Sequence, residues 1–118
     1  MKTLVLGAST KSHRFSHKAV HRLVANGHEV VAFGLKEGEI NGVAIDTTLK
    51  PYEDIHTVTL YLNPTAQEAY YEYIFSLQPT RIIFNPGTEN PSFIKELQEK
   101  DIKCEVACTL IMLASNQY

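Results

Sequence analysis

Two cysteines in 118 residues, Cys104 and Cys108, are too few for a disulfide framework, and their spacing is not that of a Cys-x-x-Cys redox pair. Nothing at the start resembles a secretory signal, because the apolar run at residues 4–6 is short and Gly7 ends it. No stretch approaches the roughly 20 apolar residues of a membrane span. A reducing, cytoplasmic setting is therefore expected. Charge of one sign is also scarce: a formal net charge of −2 supplies no broad field for nucleic acid or a membrane surface. Glycine is missing where dinucleotide sites need it. In the G-x-G-x-x-G pattern only Gly7 is present, with Ser9 and Ser12 at the second and third glycine positions. No G-K-[ST] follows a glycine at the distance of a P-loop. An NAD or FAD site of the standard glycine-rich type is therefore not expected, and the P-loop pattern is not met.

What is present fits one domain spanning residues 1–118, with 44% hydrophobic and 20% charged residues, an ordinary globular balance. Short β-rich runs at residues 4–6, 29–33, 57–62, 81–84 and 103–106 predict five strands, with a further short edge strand within 40–45 and turns at Asn41-Gly42 or Glu37-Gly38. Amphipathic segments lie between them. One begins near Ser16, read as its N-cap, and buries Ala19, Val20, Leu23 and Val24 before Asn26-Gly27 stops it. A second follows Asn63-Pro64, with Ala66, Ala69, Tyr70, Tyr73, Ile74 and Leu77 as an unbroken stripe. A third starts at Asn90-Pro91 and buries Phe93, Ile94 and Leu97. The apolar run 107–114 predicts a terminal helix from its place after a strand. No repeat or low-complexity linker interrupts this alternation, which implies an α/β, Rossmann-like three-layer sandwich with a mostly parallel five-stranded sheet. Strand order should reverse between the first strand and that at 57–62, opening a crevice at the carboxyl ends of the strands.

Residues 7–14 sit where that crevice would be. Gly7 permits close backbone approach, Ser9 and Thr10 carry hydroxyls, and Lys11 and Arg14 carry positive charge. Helix N-terminal amides backed by cations favour phosphate oxygens, so this turn is the main candidate for a ligand site. His13, His17 and His21 recur at intervals of four, but only His17 and His21 share a helical face, and no carboxylate supports them in the same segment. They read as a helix flank beside the phosphate, and no metal site is expected. Cys108, among Val106, Ala107 and Leu110, reads as a buried inert thiol. Glu89 stands without an evident acid–base partner, and Asn85-Pro86-Gly87 reads as turn chemistry at the ligand edge. No catalytic residue is assigned.

Five blocks in order carry a resemblance. They are Gly7-Ala8-Ser9 with Arg14-Phe15-Ser16; Gly27-His28-Glu29-Val30; Leu60-Tyr61-Leu62-Asn63-Pro64; Ile83-Phe84-Asn85-Pro86-Gly87-Thr88-Glu89-Asn90; and Ala107-Cys108-Thr109-Leu110. Over nearly its whole length the chain resembles the small single-domain CoA-binding proteins, which are similar to the CoA-binding domain of the succinyl-CoA synthetase α subunit. One departure is Ser12, where members often carry proline. The resemblance implies a Rossmann-like domain that binds coenzyme A or an acyl-CoA. Gly7, Ala8, Ser9, Thr10 and Lys11 would form the phosphate turn, followed by Arg14, Phe15 and Ser16. Gly34 would lie toward the adenosine, and Asn63 with Pro64 would border the other wall.

Three functions follow as expectations. The first is a CoA or acyl-CoA binder without catalysis of its own. The second is a small NAD(P)-dependent oxidoreductase, with Lys36 or Glu37 reading the ribose. The third is a ligand-free interaction module serving an acyl-CoA ligase-type partner, its crevice plugged by Phe15 or Leu35.

Overall fold

Seven short strands form one sheet in the computed structural model, which describes residues 1–118. Six run parallel, and five of these are β1 (Thr3–Leu6), β2 (Val30–Phe33), β5 (Thr57–Leu60), β6 (Arg81–Phe84) and β7 (Lys103–Val106). The other two, β3 (Gly38–Ile40) and β4 (Val43–Asp46), make an antiparallel hairpin whose β4 lies parallel to β2. The order is β3-β4-β2-β1-β5-β6-β7. The α/β, mostly parallel Rossmann-like class is as expected; the count of five becomes seven. The extra pair arises because Asn41 and Gly42 both take positive φ, 49° and 85°, which folds residues 38–46 back at two residues rather than leaving one edge strand.

Helix α1 (Phe15–Ala25) crosses from β1 to β2. It starts one residue before Ser16, which is buried in the first turn; Arg14 takes the cap position and no side chain caps the end. The early start follows from a turn in which the Arg14 amide donates to the Lys11 carbonyl at 3.0 Å. The far end closes as a Schellman motif: His28 donates to Leu23 (3.1 Å) and Gly27, at φ +81°, donates to Val24 (3.0 Å).

The segment after Asn63 is not one helix. It divides into α2 (Pro64–Gln67), a 3-10 turn at Glu68–Tyr70 and α3 (Tyr71–Leu77). Gln67 rather than Ala69 faces inward, fully buried, because its amide donates to the carbonyls of Leu62 and Thr88, each at 2.8 Å. A polar anchor thus overrides the apolar stripe and rotates the first turn. Helix α4 (Pro91–Glu99) starts as its sequence predicts, with Asn90 accepting from the Phe93 amide at 3.2 Å. Helix α5 (Thr109–Ala114) is the terminal helix. No helix is long and apolar enough to cross a membrane.

Period-two alternation divides the strands between two cores. Leu4, Leu6, Val58, Leu60, Ile82 and Phe84 pack against Ile74, Phe93 and Leu97 on one face. Val5 and Ala32 pack against Val20, Leu23 and Leu113 on the other. Burial of each large side chain contributes about 1.5–3 kcal/mol. Phe93 is the hub of the first face, stacked on Tyr71 at 4.0 Å and edge-on to Phe84 at 6.1 Å.

Candidate functional site

At the carboxyl ends of β1 and β5, where the crossovers diverge to opposite sides of the sheet, lies a cavity of about 520 Å³. That size suits a ligand of cofactor dimensions. One wall is the β1–α1 turn. Gly7, at φ +104°, brings the main chain against β5, and a β-carbon there would stand 3.0 Å from the Tyr61 carbonyl oxygen. Gly34 closes the floor beside it still more tightly, since a β-carbon would reach 2.2 Å from the Ala8 carbonyl oxygen.

The amides of Gly7 and Ala8 both donate to the Phe33 carbonyl, at 2.9 and 2.8 Å, so they hold the turn and do not face a ligand. The Lys11 amide is taken by the Ser9 hydroxyl at 3.1 Å. The amides of Ser9 and Thr10, and the first three of α1, have no partner within the chain. No acidic residue occupies the first turn of α1. This end of the helix keeps its positive potential and its donors for an anion.

Lys11 and Arg14 line the cavity with their side chains in solvent, and Lys36 joins them from the segment after β2. No Asp or Glu lines it. Three cations and no carboxylate in one cleft of a chain with net charge −2 is a local concentration of positive potential. Phe15 and Leu35 stand at the lips, 66% and 85% exposed, and neither plugs the opening.

The opposite wall comes from Tyr61, Leu62 and Asn63, with Pro86, Gly87 and Thr88 beyond them. Asn63 also caps α2, its Oδ1 accepting from the Ala66 amide at 2.8 Å. Pro64, expected on this wall, is instead the first residue of α2, exposed and outside the lining. The other ten expected residues all line the cavity: Gly7 to Lys11, Arg14 to Ser16, Gly34 and Asn63. Tyr70 carried no sequence signal for it, since it reads as part of a helical apolar stripe; Tyr61 and Thr88 lie in blocks of the family resemblance, but neither was expected in the lining.

Behind this wall a buried amide network fixes the loops. Asn85 donates to Thr59 Oγ1 (2.6 Å) and to the Leu60 carbonyl (2.9 Å), and its Oδ1 accepts from the Thr109 amide (2.9 Å). Asn90 donates to Gln67 Oε1 at 3.0 Å. Glu89 accepts from the Gly87 amide at 2.8 Å, which stiffens the loop that the cavity touches. Burial pushes the Tyr61 phenol up to about 12, so it stays neutral in this wall. Cys108 is half-buried just before α5, rather than sealed in the core as its apolar neighbours suggest.

A sequence profile described as the CoA binding domain matches residues 1–114. No curated protein matches the chain. Among solved structures, a crystal structure of an uncharacterized protein is similar at 44% identity and a TM-score of 0.97, covering 99% of this chain and 97% of its own. A Thermus thermophilus protein is similar at 22% identity and TM-score 0.85, with 99% and 90% covered. A hypothetical protein from Pyrococcus horikoshii is similar at 20% identity and TM-score 0.84, with 98% and 82% covered. The last two share the fold.

Proposed function

From the premise that the chain belongs to the CoA binding domain family, we propose that residues 1–118 act as one unit that binds coenzyme A or an acyl-CoA without catalysing a reaction. The observation that carries this reading is the cavity at the β1–β5 divergence with three lining cations, unpartnered amides and no carboxylate. The diphosphate would lie on the Ser9 and Thr10 amides and the start of α1, with Lys11 and Arg14 alongside. The adenosine would extend toward Gly34, and the pantetheine arm would pass Asn63. Ser16 and Phe15 border the same turn, and Ala8 and Gly7 shape it. The absence of a carboxylate, and of any paired acid and base in the lining, supports binding without chemistry. A cytoplasmic protein whose ligand is a soluble nucleotide derivative fits the same reading.

A ligand that binds only the folded state stabilises it by about 2.7 kcal/mol at a hundredfold excess over Kd. At roughly 4 °C per kcal/mol for a chain of this size, saturating CoA should raise Tm by about 11 °C. The Lys11→Ala/Arg14→Ala variant, whose side chains are exposed, should fold normally and lose most of that rise. A titration in which NADPH binds more tightly than CoA would instead establish the oxidoreductase reading. A melting curve unmoved by either nucleotide would leave the ligand-free module standing.

A further inference from the structure

The face of α1 that turns away from both cores carries two imidazoles with a shared aim. His17 Nε2 and His21 Nε2 stand 3.2 Å apart, with ring centroids 4.9 Å apart and planes inclined at 52°. The other nitrogen of His17, Nδ1, is 3.0 Å from the Ser9 carbonyl. A carbonyl only accepts, so His17 carries its proton on Nδ1, and its Nε2 presents a lone pair toward His21. An imidazole whose outer N–H is held by a backbone carbonyl while its inner nitrogen is free has the orientation and tautomer of a metal ligand.

The separation matches as well. Two nitrogens about 2.0–2.1 Å from a tetrahedral ion stand roughly 3.3 Å apart. His17 is half-buried and held by the Ser9 carbonyl; His21 is exposed. A small rotation of His21, with its proton moved from Nε2 to Nδ1, converts the present N–H···N contact into a bridge through an ion.

The geometry points to a site for one borderline divalent transition ion of the Zn²⁺ type, held by His17 and His21 at the outer flank of α1. No third His, Cys, Asp or Glu joins the pair, so water or a small anion completes the shell. The ion class follows from the donors. Mg²⁺ and Ca²⁺ need oxygen ligands and carboxylate charge, and the chain neighbours here are Lys18 and Arg22. Imidazole nitrogen suits Zn²⁺, Ni²⁺ or Cu²⁺. The ion joins two successive turns of α1, and through His17 it also secures the Ser9 turn of the cavity wall.

The test uses the full chain, titrated with ZnCl₂ in phosphate-free buffer and followed by calorimetry, thermal melting and imidazole ¹⁵N shifts. One ion should bind per chain and raise Tm. His17→Gln and His21→Gln should each weaken binding by at least about tenfold. His28→Gln should leave it unchanged, although His28 Nδ1 lies 3.0 Å from the Met1 amino group and is the competing nitrogen pair. In the spectra the His21 proton should move to Nδ1 while that of His17 stays in place. An absence of saturable binding, an unchanged affinity in either His17 or His21 variant, or a site that disappears with His28 overturns the inference. CoA binding is measured separately, so either result stands without the other.

Discussion

Replacing Gly34 with alanine tests whether the β1 and β2 loops meet as tightly as the structure has them. The new β-carbon would stand 2.2 Å from the Ala8 carbonyl oxygen, where ordinary contact begins at 3.4 Å, so the two backbones must part by about 1.2 Å (3.4 minus 2.2). Ile45 Cγ2, at 3.1 Å, blocks a sideways escape. Neither strand end can drift freely. The Gly34 amide is held by the Asp46 carbonyl at 3.0 Å, and the Ala8 amide by Phe33 at 2.8 Å. Overpacking costs about 1–3 kcal/mol, and an obstacle of backbone rather than side chain places this variant near 3 kcal/mol. With an unfolding entropy of ~2.1 cal/mol/K per residue, the chain loses roughly 4 °C of Tm per kcal/mol, so Tm should fall by about 12 °C. Gly27→Ala is the control: its φ is +81° but nothing lies within 4 Å of the added carbon. It should cost only left-handed strain, about 1 kcal/mol. Calorimetric melting of both variants decides the matter. A Gly34→Ala protein within about 2 °C of the parent, or less affected than Gly27→Ala, would refute the close approach.

Other expectations concern the network and the charges. Asn85→Ala should cost about 3 kcal/mol in urea unfolding, because the Leu60 carbonyl and Thr109 amide lose their buried partner together. Phe93→Ala should cost about 3–5 kcal/mol by removing the ring between Tyr71 and Phe84. His28 and His56 are held below their ordinary value of 6.5, first by burial and then by the nearby Arg81 and N-terminal charges. The unfolded chain then binds more protons, so stability present above pH 6.5 should be lost as pH falls through the lowered folded values. Melting of His56→Gln across that interval should show a shallower fall than the parent. Asp46 behaves alike at lower pH: hydrogen bonds from Lys50 and Tyr52 depress it below 3.8, so its contribution should persist above that value and vanish on further acidification, with Asp46→Asn insensitive there.

Local signals that were strong in sequence translated directly. Asn90-Pro91 starts α4 because the Asn90 side chain has one amide to accept and the proline has none to lose. Asn26-Gly27 ends α1 because glycine tolerates the positive φ of the Schellman turn. The stripe from Ala66 to Leu77 misled, since apolar spacing cannot register that Gln67 finds two carbonyls on other loops. Pro64, expected on the cavity wall with Asn63 from strand order and from the resemblance, begins α2 and lies outside the lining. The four-residue spacing of His17 and His21 is enough to put them on one helical face, while the carbonyl that orients His17 belongs to a turn eight residues earlier.

Alternating short β-branched runs and amphipathic segments determined by themselves that this chain forms a parallel sheet with helices on both faces, because period and length are local properties. The turn at Gly7–Arg14 was likewise legible, being continuous in sequence. Only the tertiary structure decided that Lys36, Thr88 and Tyr61 close one cavity with that turn. It also decided that Gln67 and Asn85 lock its walls and that two imidazole nitrogens come within 3.2 Å of each other. Those facts depend on strand order and on partners far apart along the chain, and contacts of that kind exist only once the sheet has been assembled.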